Sequence, residues 1–210
     1  MFVRMTRVQT SPDHVDEASK IWQQQVLPDS RQLAGFAGAI LLAERSTGLG
    51  LSVTYWADEA ALRASDAVAD ARRAEIAQAT GGQVLEVDRF ELVVWERNAP
   101  PRANTFVRVN DITGSPTKID DGIRFVREQV LPAVKQLTGY RSLVMGVNRD
   151  SGRAFVTTVW ETAADRAASD AAVAAQRREG GQTLGAEQVK VENFEALFVE
   201  LNVPATVGAA

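Results

Sequence analysis

Phe2-Val3-Arg4, near the start of the chain, returns as Phe106-Val107-Arg108, and the stretches that follow return at the same offset. Ser11-Pro12 comes back as Ser115-Pro116, Val26-Leu27-Pro28 as Val130-Leu131-Pro132, and Gly48 as Gly152. Trp56 is matched by Trp160, Ala64-Ser65-Asp66-Ala67 by Ala168-Ser169-Asp170-Ala171, and Phe90-Glu91 by Phe194-Glu195. Roughly thirty of about ninety-five aligned positions are identical without a gap, so the chain is an internal duplication.

Each copy reads strand, helix, strand, strand, helix, strand. Residues 2–9 are rich in β-branched and aromatic types, and Ser11-Pro12 then supplies an N-cap and a first-turn proline. Val15, Ala18, Trp22 and Val26 fall on one helical face, matched by Ile119, Gly122, Val126 and Val130. Pro28 and Pro132 are expected to end or kink that helix, with Gly35 and Gly139 as left-handed terminators. Gly48 and Gly152 close hairpins. Asp58 and the pair Thr162/Asp165 cap an alanine-rich second helix, whose Ala60, Ala64, Ala67, Val68 and Ala71 share one side.

A βαββαβ unit carries both helices on one face of a four-stranded sheet. Its strands are apolar on both sides, and a unit of this size buries only about 60–65% of its surface. The expected architecture is therefore α+β: two ferredoxin-like βαββαβ repeats packed sheet to sheet as a pseudo-dimer within one chain. Residues 1–97 form the first repeat, 98–104 a Pro-rich linker, 105–201 the second repeat and 202–210 a flexible tail.

The 210 residues contain no cysteine and one histidine, His14, and carry a net charge of −4. These counts argue against disulfides, a cysteine nucleophile and a multi-histidine metal centre. No basic stripe marks a nucleic-acid partner, and no apolar run approaches the roughly 20 residues of a membrane helix. The start at Met1-Phe2-Val3-Arg4 already reads as a strand, so no signal peptide and a cytoplasmic location are expected.

The passage Val-Leu-Pro followed by Gly-Phe or Gly-Tyr, the Thr-Gly or Ser-Gly hairpin, and Val53-Thr54-Tyr55-Trp56 with Thr157-Thr158-Val159-Trp160 together resemble the dimeric α/β-barrel superfamily. Within it, the chain resembles the antibiotic-biosynthesis-monooxygenase (ABM) type of domain, in tandem. The resemblance implies an intrachain α/β barrel and, as activity, a cofactor-independent oxygenase acting on a flat phenolic molecule. Relatives that bind or degrade haem use histidines, and a tryptophan in the second helix, that have no counterpart here. No cofactor and no metal are expected.

Candidate ligand-binding residues are Trp56, Tyr55 and Trp22 in the first repeat, Trp160 and Tyr140 in the second, and the repeated Arg4 and Arg108. Trp56 and Trp160 can stack on a flat ligand or simply plug the gap between helix and sheet. Arg4 and Arg108 can steer an anion, or form cross-strand ion pairs with Glu91 and Glu195. Ser65-Asp66 and Ser169-Asp170 are expected at the solvent border of the second helix, without a base to activate the serine. No general base is identifiable. Two function classes stay open: an oxygenase with its pocket in the first repeat, and a non-catalytic binding or assembly module. A cavity of about 300 Å³ or more beside Trp56 or Trp160 favours the enzyme, and a filled interior favours the module. Pairing of outer strands leaves room for a homo-oligomer.

Overall fold

The computed structural model describes residues 1–186, 188–202 and 206–207. In chain order the elements are β1 (Phe2–Gln9), α1 (Val15–Ile21), a π-helical turn Trp22–Val26, α2 (Leu27–Gln32), β2 (Phe36–Glu44), β3 (Leu49–Trp56), α3 (Glu59–Ala64), α4 (Asp66–Thr80) and β4 (Gln83–Arg97). The second copy supplies β5 (Phe106–Thr113), α5 (Ile119–Phe125), a π-helical turn Val126–Val130, α6 (Leu131–Lys135), β6 (Tyr140–Asn148), β7 (Arg153–Trp160), α7 (Ala163–Thr183) and β8 (Gln188–Leu201). Of the expected tail, 203–205 and 208–210 lie outside the described residues, and Thr206–Val207 forms β9 against Trp95 and Glu96.

The strand order is β1-β3-β2-β8-β5-β7-β6-β4-β9, and a β1–β4 pairing returns it to its start. This is the order of an α+β, eight-strand antiparallel barrel built from two βαββαβ halves, the class the repeat predicts. Two compact units divide the chain, and the last strand of each repeat is split between them. Of the described residues, the first unit comprises Met1–Arg89, Pro101–Asn104 and 194–202; the second comprises Phe90–Pro100, 105–193 and 206–207.

In the first unit β3 lies between β1 and β2, with Phe2 and Phe36 both in register with Trp56. The next strand beyond β2 comes from the other repeat: Gly38 pairs with Leu201 and Ala43 with Glu195 of β8. In the second unit β6 likewise takes Glu91 to Arg97 of β4. That exchange overturns the expected ion pairs. Glu91 stands opposite Val147 and accepts from Arg149 at 3.2 Å, while Glu195 accepts from Arg45 at 3.0 Å. Arg45 also binds Asp16 and Arg149 binds Asp120, both at 2.9 Å, so the same acid–base–acid arrangement occurs once in each unit.

The glycine turns and the second-helix caps are where they were expected, whereas Ser11 and Ser115 stand at the N-cap positions of short 3-10 turns, Pro12–His14 and Pro116–Lys118, without a side-chain cap bond. Gly35, Gly48, Gly139 and Gly152 have φ of 80°, 77°, 75° and 73°. Asp58 accepts from Ala61 N at 2.8 Å and Thr162 from Asp165 N at 3.0 Å. Pro28 and Pro132 do not end the first helix; each sits in the first turn of the segment that continues it, directly after a π-helical turn. The wider turn relaxes the i→i−4 ladder where proline has no N–H to give, so the helix survives its ring.

The second helix is turned the opposite way from the expected alanine face. Ala60, Ala64, Ala67, Val68 and Ala71 are exposed, and Leu62 and Ser65 are buried. Alanine methyls have little area to gain from burial, whereas a buried strand arginine requires polar partners.

Candidate functional site

The residues that define the site begin with that arginine. Arg4 is 3% exposed, flanked on β1 by buried Val3 and Met5. Its Nη2 donates to Leu62 O at 2.8 Å, Ser65 Oγ at 2.7 Å and Asp66 Oδ1 at 2.6 Å. Arg108 repeats the clamp: Nη1 donates to Ser169 Oγ at 2.8 Å, and Nη2 reaches Asp170 Oδ1 at 3.0 Å and the Arg166 carbonyl. The repeated Ala-Ser-Asp is thus the dock for the strand arginine. Ser65 and Ser169 are buried at 1% and 2% exposure, not at a solvent border. Charge-assisted bonds to buried groups are stronger than neutral ones, which explains why this pair of short motifs appears in both copies.

Above each clamp lies a cavity between the helices and the sheet. The first, about 110 Å³, is walled by Val15, Ala18, Trp22 and Val26 from the first helix and by Ala69, Arg72, Arg73 and Ile76 from α4. Arg4, Ser52 and Thr54 form its floor on the sheet. The helical face read from sequence is therefore the face that lines the cavity. Trp22 is 7% exposed and donates Nε1 to Ser52 Oγ at 3.0 Å. Phe198, delivered by the exchanged half of β8, packs on its ring at a centroid distance of 5.7 Å. Arg73 lines the same space and pairs with Asp70. Burial, and then the like charges of Arg4 and Arg89, pull its pKa down, so an additional negative charge there would be stabilising. Asp66 experiences a contest: burial raises its pKa, but Arg89 at 2.8 Å and Arg4 outweigh that and hold it below the ordinary carboxylate range.

The second cavity, about 60 Å³, occupies the equivalent place, with Arg108, Val126, Val130, Thr158 and Arg177 where the first has Arg4, Trp22, Val26, Thr54 and Arg73. Its smaller volume has a local cause. Gly122 lets Leu184 approach so closely that a Cβ there would stand 2.3 Å from Leu184 Cδ2, and Leu184 fills the space.

The expected site residues are divided by this geometry. Trp22 and Arg4 line the first cavity, and Trp160 and Arg108 line the second. Trp56 lies outside the first cavity's lining. It is 1% exposed, donates Nε1 to Thr54 Oγ1 at 3.0 Å, meets Phe36 edge-on at 5.6 Å and carries the Arg4 guanidinium 5.9 Å above its ring. Trp160 makes the same bond to Thr158, with Tyr140 edge-on at 6.0 Å. Tyr55 is buried one residue along β3 from Thr54 and Trp56, hence on the opposite face of that strand. Tyr140 is buried outside the second cavity's lining. Burial drives both phenols' pKa values up, away from the range of a working base. His14 is exposed and lines neither cavity. Arg72, Arg73, Ser52 and Gln176 were missed in the sequence. For Arg72, Arg73 and, through the repeat, Gln176 the signal is helical spacing from Ser65 through Ala69 to Ile76, an inward face with polar members that an apolar-periodicity search passes over; Ser52 is found by its strand alternation with Thr54.

Residues 1–75, the segment that holds most of the first cavity's wall, match the family model of antibiotic biosynthesis monooxygenase. Over its full length the chain has the fold of monooxygenase-like barrels. It superposes on a protein from Fusobacterium nucleatum provisionally assigned as a monooxygenase with a TM-score of 0.73, at 12% identity over 100% of this chain and 98% of that one. An anthrone oxidase-like protein aligns with a TM-score of 0.71, at 11% identity over 100% and 96% of the two chains. The uncharacterized proteins Rv2557 and Rv2558 of Mycobacterium tuberculosis (strain H37Rv) are each 26% identical to it, over 99% of this chain and 92% and 88% of theirs. Among the described residues no helix is long and apolar enough to cross a membrane.

Proposed function

We propose that the first-repeat cavity binds one flat phenolic ring and that the chain acts on it as a cofactor-independent oxygenase. The observation that carries this reading is the convergence of a pinned indole, Trp22, with the guanidinium groups of Arg4 and Arg73 on a mostly apolar cavity. An aromatic wall supports stacking, and a desolvated cation beside it stabilises a phenolate against its phenol. Ionisation makes the ring electron-rich enough to reduce O2 directly. For a quinol the balance is quinol plus O2 giving hydroxyquinone plus water: one oxygen atom is added to a ring carbon, and the other leaves with two substrate hydrogens.

The cavity volume limits the ligand. About 110 Å³ is well under the roughly 300 Å³ of a typical ligand pocket and of the order of the ~150 Å³ cavity that accepts benzene. A single ring is therefore the natural occupant in this conformation, in place of a polycyclic one. The described lining contains no carboxylate or histidine, so the proton would leave to solvent with Arg73 and Arg4 lowering the phenol pKa.

The same missing base, with the modest volume, favours the second reading, a module that binds a phenol without turning it over. Oxygen uptake with methylhydroquinone separates the two when wild type is compared with Trp22→Ala and Arg73→Gln. The oxygenase reading expects at least tenfold faster uptake by wild type than by either variant. Saturable quenching of Trp22 fluorescence with uptake no faster than Trp22→Ala would leave the binding module as the function.

A further inference from the structure

The second-repeat cavity holds buried side-chain carbonyl oxygens that have no donor among the described residues. Asn110 of β5 donates Nδ2 to Val156 O at 3.1 Å. Reversing the amide would set oxygen against oxygen, so its orientation is fixed. Its Oδ1 is buried and has no hydrogen-bond partner among the described residues; the same holds for Gln176 Oε1 on α7. Both side chains line the cavity, as does Arg108, whose buried Nε–H also lacks a partner. The remaining wall is mostly apolar, with Ile112, Val130, Leu184 and Trp160, and its other cation, Arg177, is paired with Asp170 at 3.0 Å. Leaving polar atoms unpaired in such surroundings is costly.

The first repeat is built differently at the same positions. Asn110 corresponds to Thr6, and Gln176 to Arg72, whose guanidinium is already engaged by Asp29 at 2.6 Å and Glu75 at 2.5 Å. We propose that the second-repeat cavity is a separate binding site for a small neutral molecule with an O–H or N–H donor, an alcohol or primary amide. The donor would serve Asn110 or Gln176, and the ligand's oxygen would accept from Arg108 Nε. An anion is disfavoured by the carbonyl oxygen of Asn110, which its bond to Val156 O fixes in place and which has no counterpart at Thr6 in the first cavity. About 60 Å³ admits a few non-hydrogen atoms. Duplication thus gives one chain two cavities of different chemistry.

The test titrates 2-propanol and acetone, which share a skeleton and differ in the donor, into the full chain, following the side-chain amide signals of Asn110 and Gln176 by NMR. Saturable shifts with 2-propanol, at least tenfold weaker with acetone, are expected. Asn110→Leu and, as a second variant on a half-buried helix position, Gln176→Met should each weaken 2-propanol binding about five- to tenfold, while Thr6→Val leaves it unchanged. Equal response to both probes, or no saturable shift because water alone serves these oxygens, would overturn the proposal. So would unchanged affinity in a folded Gln176→Met.

Discussion

Tyr140 and Phe36 occupy equivalent places, each edge-on to its repeat's own copy of the recurring tryptophan, and differ by one hydroxyl. The Tyr140 hydroxyl is buried without a partner among the described residues. An unpaired buried hydroxyl costs about 1–3 kcal/mol. Tyr140→Phe should therefore leave stability unchanged or raise it by about 1 kcal/mol in urea denaturation; a clear loss would mean that the hydroxyl has a role its surroundings do not reveal. Asp66 behaves in the other direction. Its folded-state pKa lies below the unfolded value, so its contribution is present at neutral pH and disappears as pH falls through the folded pKa. Asp66→Asn should destabilise the chain at pH 7, by about 1–3 kcal/mol for a charge-assisted bond, and by progressively less as the pH is lowered into the acid range where the folded-state carboxylate takes up its proton. Parallel urea curves at neutral and acid pH measure this. Equal losses at both would assign the effect to packing instead of charge.

At the scale of elements, the arginine clamp and the positive-φ turns set where helices and hairpins lie. Gly48 and Gly81 both have positive φ, 77° and 64°, but their surroundings differ. A Cβ on Gly48 would stand 2.1 Å from Thr10 O, whereas Gly81 has nothing within 4 Å. Gly81→Ala should cost about 1 kcal/mol for the left-handed backbone alone, and Gly48→Ala more than twice that, because the hairpin must also move away from the strand end. Thermal melts of the two variants decide it; similar losses would show that the hairpin yields freely. Much of this layer was legible beforehand. Gly48, Gly152, Asp58 and Thr162 declare themselves through local chemistry, because backbone sterics and cap hydrogen bonds act within a few residues. The inward face of α4 did not, since its orientation is set by Arg4, a residue sixty-odd positions away whose burial is a tertiary event. The π-helical turns were equally hidden. Proline announces that a helix is disturbed, and only its neighbours determine whether it stops or widens.

For the molecule as a whole, the exchanged strand halves matter most. β2 completes its pairing with residues 195–201 of β8, and β6 with residues 91–97 of β4. Residues 1–97 expressed alone would leave β2 with an open, apolar edge. That fragment should be unfolded or should self-associate, a second copy supplying the missing strand half. Sedimentation of the fragment tests this, and a folded, compact monomer would contradict it. The exchange also brings Phe198, from the second repeat, onto Trp22 of the first-repeat cavity.

By itself the sequence determined the duplication, the order of elements, the turns and caps, and the helical face that lines the cavity from Val15 to Val26. These follow from identity at a fixed offset and from interactions between near neighbours along the chain. It also contained Arg4 and Arg108, but not their partners. Adjacency of the first and last strands within one repeat implies that Glu91 serves Arg4; the strand exchange gives Glu91 to Arg149 and leaves Arg4 to Ser65 and Asp66. Tertiary structure alone decided those pairings, the displacement of Trp56 from the cavity in favour of Trp22, and the unpartnered oxygens of Asn110 and Gln176. The reason is physical: a residue's type limits which partners it can accept, but burial and register select among them, and both are properties of strands and helices brought together from distant parts of the chain.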